Sequence, residues 1–385
     1  MAHTEATPTP PRPAGLGGLP LIIGALVMLL VVAVIAALSI ANSDSSTESA
    51  GSAQEALGYL PMDASFVEIR DQRQAEQRLG IDQVEAGADD AQIERYLTEA
   101  QDNPSIDNSL TPFLPTMNEE GAAFTALDVD WWASVIAGSP ASSSPLELYG
   151  MDAGLDLDDV ADDMVDAGWR PSDVEGGRRL EVDLSDIDPQ TGLAGGYPAR
   201  TPELVLLPDE HLIVIGDYER VLDVIAGDSE PLQAADDLSR LLAADESPEY
   251  LHFTRGVATC VGFAVQMLGQ RVSPELVAQL RQTTELATPT ATASLVLVDG
   301  AEVTTTSRLL FDNDAEAADD KGARATYLRE GTSIITSQPV ADLLTVESVT
   351  VDGAIETITY TFEQGLSGMV SAIHQGGFPP TFCVV

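Results

Sequence analysis

Lysine is almost missing from this chain: Lys321 is the only one. The basic residues number 18 against 62 acidic ones, for a formal net charge of −44 in 385 residues. That deficit argues against a nucleic-acid partner, because phosphate binding rests on clustered Lys and Arg. It also repels anionic headgroups and wall polymers, and leaves cations, in weak binding, or basic partners. An Asp-rich, Lys-poor composition that serves solubility is the simpler explanation of the charge.

Aromatic residues are scarce, and the histidines are four: His3, His211, His252 and His374. No two of them stand at a metal-ligand spacing. The nearest approach to a nucleophile motif, Gly365-Leu366-Ser367-Gly368-Met369, carries Met where G-x-S-x-G requires Gly. There is no glycine-rich phosphate loop. The sequence therefore gives no catalytic, cofactor-binding or metal-ligating residue, and an enzyme is not expected.

Only two cysteines occur, Cys260 and Cys383. Both follow the one long apolar run, on the side expected to face outward, where disulfides persist. A bridge between them would close a loop of about 120 residues, worth roughly 4–5 kcal/mol on the chain-entropy model. Two isolated buried thiols are the alternative.

The run Leu21 to Ala41 holds no charge, and about 20 such residues suffice to cross a bilayer as a helix. Pro20 suits a first helical position, and Asn42-Ser43-Asp44-Ser45-Ser46 ends the run. Arg12 precedes it, while Asp44, Glu48 and Glu55 follow. Basic residues stay in the cytoplasm, so the tail is expected inside and the acidic domain outside a cell membrane. Cleavage after Ser39-Ile40-Ala41 is the alternative, although the run is long for a signal core and lacks a basic leader. Ala33, Ala37 and Ala41 share one helix face, a spacing that permits close helix approach but also reflects ordinary span composition. The expected divisions are a disordered tail over 1–18, a transmembrane helix over 19–41, a flexible linker over 42–54, and an ectodomain of two halves, 55–228 and 229–385.

Beyond the linker, a strand is expected at Ser65 to Ile69, then helices to about Gln101. From Ala126 a pattern recurs of two strands and an amphipathic helix. Its instances run over 127–167, 204–225, 295–328 and 348–373. Leu157, Val160, Ala161, Met164 and Val165 share one helix face and five aspartates the other, the spacing of a helix packed on a sheet. Asp299-Gly300 and Asp352-Gly353 mark hairpins. Extra strand-like pieces lie at Arg179 to Leu184 and Thr332 to Thr336, and a final strand at Thr381 to Val385. The join holds helices near Ala234–Ala243 and Pro274–Arg281 and a strand at Tyr250–Phe253. The expected fold is α+β: two similar halves of antiparallel sheet with helices on one face.

The acidic clusters Asp152 to Asp163 and Asp312-Asn313-Asp314-Ala315-Glu316 raise the question of calcium, but neither fits an EF-hand loop. The first reads as a solvated helix face and the second as a helix cap. Trp131 and Trp132 face opposite sides of one strand, so one is expected in the core and the other under a loop or helix, or exposed for binding.

The Pro-rich tail with one span, the segment Ala56-Leu57-Gly58-Tyr59-Leu60-Pro61-Met62-Asp63-Ala64-Ser65, the hairpin Leu206-Leu207-Pro208-Asp209-Glu210-His211-Leu212 and the late cysteine together resemble a family of uncharacterised, membrane-anchored acidic proteins of high-GC Gram-positive bacteria. That resemblance implies no activity and no site residues. The expectation is a single-pass protein whose outer domain scaffolds an unknown protein partner, or else binds a ligand in a cleft between its halves.

Overall fold

The computed structural model describes residues 52–383, apart from 86, 138–145, 184, 187–192, 195–196, 199–202, 244–245, 260–285, 301, 334–337 and 375–377. The apolar run, His3, Cys260 and the helix expected at Pro274–Arg281 lie outside the described residues. No helix among the described residues is long and apolar enough to cross a membrane.

In chain order the elements are α1 (Ser52–Tyr59), β1 (Ala64–Asp71), α2 (Gln72–Leu79), α3 (Asp90–Asp102), α4 (Leu114–Glu120), β2 (Val129–Ala137) and β3 (Leu146–Met151). Next come α5 (Leu157–Asp166), β4 (Arg170–Val174), β5 (Gly177–Glu181), β6 (Leu193–Ala194), β7 (Tyr197–Pro198), β8 (Glu203–Leu207), β9 (Leu212–Ile215) and α6 (Tyr218–Ile225). The rest are α7 (Asp236–Leu241), β10 (Tyr250–Arg255), β11 (Ala291–Asp299), β12 (Glu302–Leu310), α8 (Asp314–Glu330), β13 (Leu344–Asp352), β14 (Ile355–Phe362) and α9 (Gly365–His374).

The fold is α+β, built on a 12-stranded sheet of order β13-β14-β12-β11-β10-β1-β2-β3-β9-β8-β5-β4. Its pairings are antiparallel throughout. From the central pair β1 and β10, the order outward is β1-β2-β3-β9-β8 on one side and β10-β11-β12-β14-β13 on the other. The β4–β5 hairpin extends the first side only. Asp-Gly turns close both hairpins of the second side, with Gly300 and Gly353 at φ 61° and 58°, a left-handed conformation that glycine adopts without strain.

Helices cover both faces, not one. On the first face Val67, Ile69, Ala133, Leu148, Val214, Leu251 and Phe253 pack under α1, α6 and α7. The second face carries two separate apolar patches. One joins Trp132, Tyr149, Leu206 and Ile213 to α3, α4 and α5. The other joins Val296, Leu309, Ile358 and Tyr360 to α8 and α9. The physical reason is in the central strands. Leu-Ile-Val-Ile of β9 is buried at every position, and so is β10 up to its last residue. Strands apolar on both sides need two covers.

Other expectations are adjusted. Helix α1 begins at Ser52, inside the stretch read as flexible, because Ala53, Ala56 and Leu57 are buried. Of the final strand expected at Thr381 to Val385, Thr381 ends a 3₁₀ turn over Pro379–Thr381 and Phe382 and Cys383 belong to no strand; Val384 and Val385 lie outside the described residues. Within the expected strand Thr332 to Thr336, Thr332 makes only an isolated bridge to Pro339. Trp131 and Trp132 are both buried, one on each face. Asn313 caps α8 by accepting from the N–H groups of Ala315 and Glu316.

Candidate functional site

Between the two apolar patches of the second face runs a row of polar side chains. Ser307, Ser294, His252, Glu68, Ser134 and Glu147 are successive cross-strand partners on β12, β11, β10, β1, β2 and β3. Directly paired residues point to one face, so the six form a transverse band. It crosses the junction of β10 and β1 at the His252–Glu68 pair. Five of the six are buried.

Burial obliges polar groups to find partners, and most of the row does. Ser294 and Ser307 share a hydrogen bond of 3.0 Å, and Ser307 meets the Tyr360 hydroxyl at 3.2 Å. In the flanking register Thr254 and Thr292 meet at 2.8 Å. Glu147 accepts from Ser109 at 2.7 Å and from Tyr149 at 2.6 Å. Glu68 accepts from Arg70 Nε at 2.9 Å and Nη2 at 2.6 Å, while its other oxygen meets His374 Nε2 at 2.8 Å. Arg70 also donates to the Asp107 carbonyl and lies 4.7 Å from the centre of the Trp132 ring. Burial alone would push the Glu68 carboxyl up, but Arg70 and His374 outweigh it and hold the group well below the usual carboxylate range.

His252 is the exception. It is only 8% exposed, and neither ring nitrogen has a hydrogen-bond partner. Its ring packs edge-on against Phe66 at 4.9 Å. Burial pushes its pKa down to about 4, against the pull of Glu68, so the imidazole is neutral at pH 7. One nitrogen then donates and the other accepts. Trp132 Nε1, on β2, is likewise buried without a partner.

A concavity lies at the surface near α2, apart from the row. It is a cleft of about 550 Å³ lined by Arg73, Glu76, Asp82, Asp128, Asp130 and Asp152, among others. Arg73 spans it, reaching Asp130 at 2.9 Å and Asp152 at 3.2 Å. Burial raises Glu76 to about 7 and also raises Asp128 and Asp130. Among the described residues no group of three or more His, Cys, Asp or Glu side chains could hold a metal ion.

The residues singled out in the sequence scatter. Cys383 is buried, and no free cysteine stands among the described residues. His211 takes a left-handed conformation at φ 51° after a 3₁₀ turn and is not part of the row. His374, the last residue of α9, reaches back to Glu68. Sequence reasoning missed Glu68, Arg70, Ser134 and Glu147. The available signal was Glu68 and Arg70 at i and i+2 within Phe66-Val67-Glu68-Ile69-Arg70, a polar pair on one side of an otherwise apolar strand.

No family model and no curated protein matches the chain. Among solved structures it is similar to three crystal forms of TP0453. Form III matches at TM-score 0.38 and 9% identity, covering 82% of this chain and 97% of that one. Forms I and IV match at TM-score 0.39 with 10% and 8% identity, each covering 82% of this chain and 96% of that one.

Proposed function

We propose that this protein is a membrane-anchored, extracytoplasmic binding module that receives its ligand at the seam between two similar halves. The halves are those whose strands run in matching order outward from β1 and β10. The observation that carries this reading is His252, buried at the centre of the polar row with both nitrogens unpartnered. An unmet buried group costs about 1–3 kcal/mol, and a ligand that satisfies it recovers that cost. The neutral run Leu21 to Ala41 supports the anchor, and the acidic surface supports an outward-facing domain that stays clear of anionic headgroups.

The test is thermal melting of the full chain in nanodiscs of zwitterionic lipid against a panel of small molecules, alongside His252→Phe. A ligand that binds the folded state raises the melting temperature. A rise seen with the wild type and absent in the variant is expected. Equal rises in both would place binding elsewhere. Carbonate washing of membranes checks the anchor: retention with an intact N-terminus is expected, and a soluble form starting at Asn42 would contradict it.

A further inference from the structure

A groove of about 660 Å³ runs between α3 and α4, open to solvent. One wall is a single face of α3: Asp90, Ile93, Glu94, Leu97, Thr98 and Gln101 follow the i, i+3, i+4 spacing that lines side chains along one side of a helix. Pro115, Asn118 and Glu119 of α4 form the other wall at the same spacing. With 13 residues in α3, the track is about 20 Å long.

The chemistry changes along the track. At one end Asn118 ties α4 to the residues just ahead of α3, accepting from the Gly87 N–H at 2.9 Å and donating to the Ala88 carbonyl at 3.0 Å. Asp90, Glu94 and Glu119 stand at this end, and all three are exposed. Further along, the floor is apolar. Ile93 is buried and Leu97 half-buried, both packed on the core of the second face, with Pro115 opposite them on α4.

The carboxylates at the acidic end are not matched within the chain. In the cleft near α2, Arg73 already lies against Asp130 and Asp152. The α3–α4 groove has no Lys or Arg in its lining, and no ion pair among the described residues involves Asp90, Glu94 or Glu119. A helix dipole favours a carboxylate in the first turn, which accounts for Asp90. It disfavours Glu119, in the last turn of α4.

An apolar track one helix long with negative charge at one end complements an amphipathic helix with its cations at one end. Recognition of a helix in a groove uses apolar anchors at i, i+3, i+4 and i+7, and the charge match fixes the register. We propose that the α3–α4 groove docks a basic amphipathic helix of a protein partner. Its apolar anchors lie on Ile93, Leu97 and Pro115, and its Lys or Arg end lies against Asp90, Glu94 and Glu119. This surface is separate from the seam and does not depend on it.

The probe is a synthetic helix of about 14 residues, long enough to span the track, with Leu along one face and Lys confined to one end. Fluorescence anisotropy follows its binding to the full chain in zwitterionic nanodiscs, with empty nanodiscs as the blank. Expected is saturable binding at physiological ionic strength with a Kd of about 10 μM or tighter. Leu97→Gln should weaken it at least about tenfold, and so should Glu94→Gln combined with Glu119→Gln. Asp158→Asn combined with Asp159→Asn, on the acidic face of α5, should leave it unchanged. Binding should also slow hydrogen exchange in α3 and α4. Melting curves of each variant establish that it is folded. Equal binding of a scrambled peptide of the same composition, or an equal loss in the α5 variant, would reduce the effect to general attraction by an acidic surface and overturn the proposal. Equal binding of a peptide with Glu in place of Lys, or no saturable binding up to about 1 mM, would overturn it too. The seam reading is untouched by any of these outcomes, because His252→Phe tests it separately.

Discussion

The Glu68 carboxylate and the His374 imidazole meet at 2.8 Å although 306 residues separate them. The contact ties β1, at the start of the folded domain, to the last helix, α9. Arg70 completes the site from the same strand. Because Glu68 is buried, its two partners should differ in weight. Arg70→Met leaves the carboxylate without its guanidinium and is expected to cost about 3–5 kcal/mol. His374→Gln keeps a donor and should cost about 1 kcal/mol. Urea denaturation of both variants checks the order, and equal costs would contradict it.

Acid should weaken the seam. His252 has a folded pKa of about 4 against about 6.5 unfolded. Between those values the unfolded chain binds the extra proton, so stability falls as pH drops through that window. The difference of about 2.5 units corresponds to at most about 3 kcal/mol. Glu68 acts in the same sense lower down: its depressed pKa gives stability present above the unfolded carboxylate value and lost below it. Denaturation midpoints of wild type and His252→Phe should diverge below pH 6.5 and run parallel above it.

A second network acts in the opposite sense. Arg324 is fully buried, donates to Asp320 at 2.6 Å, and holds the carbonyls of Pro380 and Phe382 at 3.1 and 2.9 Å. Glu356 lies 3.8 Å from the Arg324 guanidinium and beside the Asp320 carboxylate. Burial pushes its pKa up despite Arg324, so the fold binds a proton that the unfolded chain releases. Stability from this group is present at low pH and declines as pH rises above the unfolded value. Glu356→Gln should flatten that decline toward neutral pH. Arg324→Met should cost about 3–5 kcal/mol and speed hydrogen exchange in residues 379–383.

Packing under Trp131 is tight. A Cβ built on Gly150 would lie 2.1 Å from the indole, and the ring also stacks on Tyr59 at 6.3 Å. Gly150→Ala should therefore destabilise by about 1–3 kcal/mol through overpacking. Chemical denaturation reads this directly, and an unchanged midpoint would show that the indole moves aside freely.

The proposed bridge between Cys260 and Cys383 has a simple check. Peptide mapping without reductant should recover one linked pair of peptides. Reduction should lower stability by about 2–5 kcal/mol. Two unlinked peptides, each with a free thiol, would contradict the pairing.

Much of the fold was legible because its signals are local. The Asp-Gly turns, the alternating strands beside them and the one-sided apolar spacing of Leu157, Val160, Ala161 and Met164 all act over a few residues. The β4–β5 hairpin was half seen: Arg170 to Val174 is mostly exposed and carries no apolar alternation. The unbroken apolar run Leu212 to Ile215 marks a strand covered on both faces, but the joining of the strands into one sheet depends on β1 meeting β10, a distant pairing with no sequence mark. The polar row was illegible for the same reason. Its six residues come from six strands, and each looks like an ordinary polar substitution within its own segment. Only cross-strand register places His252 beside Glu68.

The most direct measurement is nitrogen-15 NMR of the His252 side chain in the intact protein. The expected result is an imidazole that stays neutral down to about pH 4, with both ring-nitrogen resonances shifting saturably as a small molecule that raises the melting temperature is added at pH 7. An imidazole that titrates near 6.5, or resonances unmoved by any probe, would contradict a buried ligand-reading histidine at the seam.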